Sequence, residues 1–149
     1  MWFMNKIVNP FVRLILLSPL HGMMSSALLL ITYKGRKSGK AYTLPVQYVK
    51  DNRTIYIIPG NPNQKIWWRN LRSASAVQLR LAGKALSCTA SVLEGPSKSA
   101  DIAGILDIYL RRFPAAARLH KVRLEENGSF NQDDINQAAS STVVVRVEM

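Results

Sequence analysis

The sequence predicts a mainly β, α+β fold: six short antiparallel strands closed into a small barrel, with helices flanking it. Short apolar or alternating runs recur between residues 27 and 93 with turn residues between them, the pattern of successive strands. Their connections are short, which favours antiparallel neighbours and excludes the βαβ alternation of a dinucleotide-binding fold. Helical spacing dominates only before the first of these runs and after the fifth. A six-stranded antiparallel sheet with a covering helix buries its apolar face most economically by closing on itself.

The elements follow in order. Residues 1–20 form an amphipathic N-terminal helix, with Phe3, Ile7, Phe11 and Leu14 on one stripe and Lys6, Asn9 and Arg13 on the other. Pro10, Arg13 and Pro19 interrupt it too often for a membrane span or a signal peptide. Ala27 to Tyr33 is a buried strand, Lys34 to Lys40 a hairpin, and Ala41 to Val49 the returning strand. Asp51-Asn52-Arg53 turns the chain into a third strand, Thr54 to Ile58, and Pro59 to Pro62 must be loop. Gln64 to Ser73 is a short helix. Val77, Leu79 and Leu81 alternate as a half-buried strand, Ala82-Gly83-Lys84 turns, and Ala85 to Leu93 returns. After Gly95-Pro96 the period changes: Ile102, Ile105, Leu106, Tyr109, Leu110 and Phe113 mark a helix capped near Ser97 or Ser99. Residues 122–140 are polar and poorly patterned, and Thr142 to Val147 is the last strand.

The chain has 149 residues, the length of a single domain spanning 1–149. Twenty Lys and Arg face nine Asp and Glu, a net charge of +11, which attracts polyanions without choosing among them. The single cysteine, Cys88, excludes an internal disulfide and fits a reducing, cytoplasmic setting. His21 and His120 stand far apart and no CxxC or HExxH occurs, so no protein-ligated metal is expected. His21, beside Pro19 and Gly22, reads as a turn residue.

Two segments carry chemistry. Lys34-Gly35-Arg36-Lys37-Ser38-Gly39-Lys40 packs four cations and two glycines into seven residues. Glycines let a backbone approach an anion, Arg36 offers a fork for a phosphate, Lys37 and Lys40 add point charges and Ser38 a hydroxyl. The alternative is a solvated basic hairpin. In Trp67-Trp68-Arg69-Asn70, adjacent tryptophans on a helix face different ways. One is expected in the core; the other can wall a flat aromatic ligand or the mouth of a pocket, although core packing for both is the commoner outcome for such a pair.

Together, Gly35 to Lys40, Pro45-Val46 and Trp67-Trp68-Arg69-Asn70-Leu71 resemble the deazaflavin (F-420)-dependent nitroreductase family, also called F-420H2-dependent quinone reductase-like, from about Leu28 to Val92. The resemblance implies a split β-barrel of the FMN-binding type, coenzyme F-420 as cofactor, and hydride transfer to a quinone-like or other conjugated acceptor. By position it implies that Arg36, Lys37 and Ser38 hold the anionic tail. Tyr42, Thr43, Leu44, Pro45, Val46 and Gln47 would line the ring, Ile58, Pro59, Gly60 and Asn61 would loop over it, and Ile66, Trp67, Trp68, Arg69 and Asn70 would close the site. The best-studied members carry Arg and Tyr at Tyr42 and Gln47, and tyrosines shaping the substrate pocket near Ala115, Ala116 and Leu119. No side chain is an obvious nucleophile, so the catalytic group is unassigned, with Tyr48 and Tyr109 as candidate proton donors.

Three alternatives stand beside this reading. Such a barrel also suits FMN, the second choice of cofactor, or haem or an apolar ligand instead. The charge could serve a nucleic-acid binder, although the aromatics fall at core-like spacing and nucleic acid is not the expected partner. Residues 1–17 could hold a non-catalytic protein on an anionic membrane surface, and they could equally place an enzyme peripherally on the inner face of the cell membrane. A monomer and a homodimer are both compatible with the sequence.

Overall fold

The computed structural model describes residues 28–60, 62–63 and 66–149. The helix expected over residues 1–20, His21, Asn61 and the first residues of the helix expected from Gln64 lie outside the described residues.

Seven strands form one sheet: β1 (Leu28–Lys34), β2 (Ala41–Gln47), β3 (Val49–Asp51), β4 (Thr54–Ile57), β5 (Ser75–Leu81), β6 (Lys84–Glu94) and β7 (Val143–Glu148). Their order is β2-β1-β5-β6-β7-β4-β3, and every neighbouring pair is antiparallel. The two strands at the ends of that order, β2 and β3, are joined through Tyr48 alone. In a flat sheet they would lie about 29 Å apart, at roughly 4.8 Å per strand step. One residue reaches only a few ångströms, at about 3.5 Å per residue. The sheet therefore curls until its edges nearly meet, a half-barrel with an unpaired seam between β2 and β3.

This corrects the strand count from six to seven. The run Ala41 to Val49 reads as one strand, yet the chain leaves β2 at Tyr48 to begin pairing with β4 on the other side of the seam. Pro45, without an N–H, sits on β2 because that strand is an edge.

Tight turns set the register. Ala82 and Gly83 both take positive φ, 51° and 78°, between the paired Leu81 and Lys84, and Asn52 takes φ 57° between β3 and β4. Alternation then fills the barrel with Leu29, Ile31, Tyr33, Leu44, Val46 and Ile55, joined by Val77, Leu79, Val145 and Val147.

The helices cover part of the outer face. Helix α1 (Ser99–Arg112) turns Ile102, Ile105, Leu106, Tyr109 and Leu110 inward, as its spacing predicts. They meet Val49, Ile58 and Val144, so β7 is apolar on both faces. Each fully buried Leu or Ile there contributes about 1.5–3 kcal/mol. The cap differs from expectation: Lys98 is the N-cap and caps with no side chain, because Ser97 and Ser99 donate back to Glu94 O and Pro96 O. Helix α2 (Ala116–Leu119) is one turn. Helix α3 (Gln132–Ala139) lies within the segment that reads as poorly patterned. Asn131 caps it by accepting from Asp134 N at 2.9 Å, and Ile135 and Ala139 fill the space beside α1.

Among the described residues no helix is long and apolar enough to cross a membrane.

Candidate functional site

The β1–β2 hairpin is wound tightly. Gly35 N donates to Lys40 O at 2.9 Å and Gly39 N donates to Gly35 O at 2.8 Å, with Gly39 at φ 69°. A Cβ on Gly35 would stand 2.9 Å from Ser38 Oγ and 3.0 Å from Tyr42 Cε2, so a larger residue would have to push these two side chains aside. Lys40 N donates to Ser38 Oγ at 3.2 Å. Arg36, Lys37, Ser38 and Lys40 are exposed. Among the described residues the side-chain ion pairs are Arg72–Glu94, Arg111–Asp107, Arg123–Asp134 and Arg146–Glu148, so no carboxylate neutralises the hairpin.

Asn70 joins the two motifs, 34 residues apart in sequence. Its Oδ1 accepts from Arg36 N at 2.9 Å and its Nδ2 donates to Trp67 O at 2.8 Å. The hairpin backbone is thereby clamped to the element carrying both tryptophans. That element is a 3-10 helix, Trp67–Leu71, shorter and tighter than the helix expected from Gln64 to Ser73.

Both tryptophans are core residues, 5% and 3% exposed, so the commoner of the two expected outcomes holds and neither forms an outward wall. Trp67 packs on Tyr33 with ring centroids 5.8 Å apart, and Tyr33 on Tyr42 at 5.7 Å, a ladder of rings running beneath the hairpin. Burial, with Tyr42 adding to it, pushes the Tyr33 hydroxyl up to about 12. Trp68 Nε1 donates to Pro62 O at 3.0 Å, which ties the loop after β4 to the helix. The guanidiniums of Arg69 and Arg72 lie 5.6 and 5.0 Å from its ring, and Glu94 holds Arg72 through both carboxylate oxygens.

Alternation divides the expected ring-side stretch. Tyr42 stacks on Tyr33, and Leu44 and Val46 point into the barrel. Thr43, Pro45 and Gln47 therefore share the outer face of this edge strand. Ile58 and Pro59 are buried, Gly60 is half-buried and Ile66 is 55% exposed. The loop can offer backbone groups, and Ile66 an apolar surface. Tyr109 reaches the same edge, its hydroxyl donating to Gln47 Oε1 at 3.0 Å. Burial pushes that hydroxyl up to about 12. Tyr48 is a buried seam residue whose hydroxyl burial also raises, with Arg112 opposing the shift.

Among the described residues, two hollows border this region. A cleft of about 210 Å³ lies between the loop after β4 and the C-terminal third, lined by Pro59, Pro62, Leu119, His120, Ser141 and Thr142. A groove of about 740 Å³ opens where β1 and β5 part: their pairing ends at Thr32 and Gln78, while β1–β2 continues to Lys34 and β5–β6 to Ser75. Lys34 and Ala41 at the hairpin base line it, with Tyr33, Val77 and Cys88. The larger groove touches the hairpin and the smaller cleft touches the loop, so the site is flanked on both sides. The sequence contains no signal for the cleft, because His120, Ser141 and Thr142 converge only in the fold.

Burial lowers the His120 pKa below its ordinary value of 6.5. The folded chain then binds that proton less readily than the unfolded chain. The stability contributed by neutral His120 is complete above about pH 6.5 and is lost as pH falls below it toward the lower folded value. Thermal unfolding should show a lower midpoint near pH 5 than near pH 7, and His120→Gln should flatten that dependence. An unchanged pH slope in the variant would assign the effect to other groups.

The family model of F420H(2)-dependent quinone reductase matches residues 18–105, more than half of the chain. The chain belongs to this family. The match covers the hairpin, β2, the loop and the 3-10 helix, and ends inside α1. A solved structure described as a domain-swapped dimer superposes with a TM-score of 0.57 at 21% identity, over 82% of this chain and 80% of its own. One described as an F420-H2 dependent reductase (FDR-A) superposes with 0.55 at 22%, over 82% and 94%. At such identities the likeness is one of fold. Among curated proteins none matches. As a family member the chain is a deazaflavin-dependent oxidoreductase whose cofactor is coenzyme F-420. Its residues fit such a group: unneutralised cations and a hydroxyl around a glycine cradle suit an anionic tail, and the orphaned Arg69 Nε is a donor without a partner among the described residues.

Proposed function

We propose that this single domain, a split barrel of the FMN-binding type, reduces a small quinone-like acceptor in the cytoplasm. Arg36, Lys37 and Ser38 hold the anionic tail of the deazaflavin, and the outer face of β2 with the loop after β4 receives its ring. The observation that carries this reading is the Arg36 N to Asn70 Oδ1 hydrogen bond, which makes the basic hairpin and the Trp-Trp element one assembly. The bound coenzyme supplies a hydride. The chain's own work is to orient, to exclude water and to hold protons. Thr43, Pro45 and Gln47 fix the ring plane, and Ile66 keeps one side apolar. Tyr109 aims its proton at Gln47, which favours a role in orientation, and leaves Tyr48 as the candidate proton donor at the seam.

The 210 Å³ cleft suits an acceptor of one or two fused rings, with Leu119 and His120 on its wall. The stretch Pro114-Ala115-Ala116-Ala117 supplies no aromatic wall, so bulky flat substrates lack a stacking surface there. Anaerobic mixing of reduced F-420 with menadione, followed by recovery of the oxidised cofactor's absorbance, should show reoxidation. Bulky nitroimidazoles should react more slowly. Equal rates would remove the 114–121 segment from the acceptor pocket, and no reaction with any quinone would remove the acceptor class.

A further inference from the structure

An amide side chain has a donor end and an acceptor end, and which end faces a ligand decides what it can bind. Gln47 is an exposed residue at the end of an edge strand, where its amide would ordinarily turn freely. Here it does not. Tyr109, 62 residues away, donates its hydroxyl proton to Gln47 Oε1 at 3.0 Å. Tyr109 itself is fixed: it is 4% exposed, packs in the helix-side core with Val49 and Ile58, and lies 5.1 Å from the Phe113 ring. With its oxygen engaged, Gln47 has its NH2 group left to turn away from the helix, on the β2 face shared with Thr43 and Pro45. Flipping the amide would strip the buried hydroxyl of its acceptor, which disfavours the alternative.

We propose that Tyr109 is a positioning residue that locks the Gln47 amide so that its NH2 donates to a carbonyl oxygen on the planar ring bound against β2. This rests on the ring placement proposed above. That carbonyl belongs either to the deazaflavin or to the quinone-like acceptor, and one set of measurements separates the two. Tyr109→Phe keeps the packed ring and removes only the hydroxyl. Gln47→Glu keeps an acceptor for Tyr109 and removes the N–H donors.

Equilibrium fluorescence titration of the intact protein with F-420 gives the cofactor Kd, and menadione kinetics at saturating cofactor give the acceptor KM. Tyr109→Phe should weaken one of these constants about three- to tenfold, the range of one ordinary hydrogen bond, with the thermal midpoint close to wild type. Gln47→Glu should weaken the same constant by at least about tenfold although its bond to Tyr109 persists. In a Gln47→Ala background, Tyr109→Phe should add nothing further. A loss in Kd assigns the carbonyl to the deazaflavin, and a loss confined to KM assigns it to the acceptor. Wild-type values of both constants in Tyr109→Phe, or in Gln47→Glu, would overturn the inference. The Arg36→Ala/Lys37→Ala double variant, titrated alongside, shows where the failure lies. If it binds weakly, the amide lock alone is wrong; if it too binds as wild type, the cofactor's placement is wrong.

Discussion

Trp68→Ala should destabilise the fold by about 3–5 kcal/mol, the range for removing a large buried aromatic. The indole is 3% exposed among barrel-core side chains, and its Nε1 holds Pro62 O. Truncation opens a cavity at the end of the barrel and frees the loop that the coenzyme is proposed to lie beneath. Urea denaturation followed by far-ultraviolet dichroism measures it. Trp68→Phe should recover most of the loss and leave about 1 kcal/mol, the net worth of the missing hydrogen bond. A residue serving mainly as a ligand wall would behave otherwise, with stability nearly unchanged and affinity reduced. A shift below about 1 kcal/mol in Trp68→Ala would therefore contradict its placement in the core.

Arg36→Ala with Lys37→Ala should act in the opposite way, leaving the fold intact and weakening deazaflavin binding by about 2–4 kcal/mol, taking about 1.5–3 kcal/mol per charged hydrogen bond with partial screening. Both side chains are exposed, and neither has a carboxylate partner among the described residues. Removing them breaks no ion pair among the described residues and relieves some mutual repulsion, so the melting temperature should hold or rise slightly. The loss of affinity should shrink as salt is raised, because the wild-type contact is itself screened. An affinity within twofold of wild type would show that the hairpin does not hold the tail.

Much of this was legible in the residues, for definite reasons. The hairpin at Gly35 to Lys40 and the turn at Ala82-Gly83 announce themselves, because glycine and charge at such positions have few other uses. The inward face of α1 follows from spacing alone. The break at Tyr48 was not legible. It involves neither glycine nor proline and arises because closing the barrel moves the chain from one edge of the sheet to the other. Burial of both tryptophans is the commoner outcome for an adjacent pair, and the fold supplies its reason. Adjacent positions diverge on an isolated helix, whereas this 3-10 turn lies against the barrel interior and buries both. Helix α3 had a readable start in Asn131 with Asp134 three residues on, but its eight residues carry too little apolar periodicity to stand out. Within the site, Gln47 and Tyr109 could each be singled out from sequence. Their hydrogen bond could not, since it depends on how α1 lies against the seam.

The proposed assembly of hairpin, β2 and 3-10 helix accounts for recognition of a deazaflavin by this chain. Titration of the wild-type protein with F-420 and, separately, with FMN tests it most directly, read by quenching of the tryptophans and by ligand fluorescence. F-420 should bind saturably and more tightly than FMN, and the preference should narrow in the Arg36→Ala/Lys37→Ala variant. Tighter binding of FMN, or F-420 binding that the double variant leaves unchanged, would contradict it.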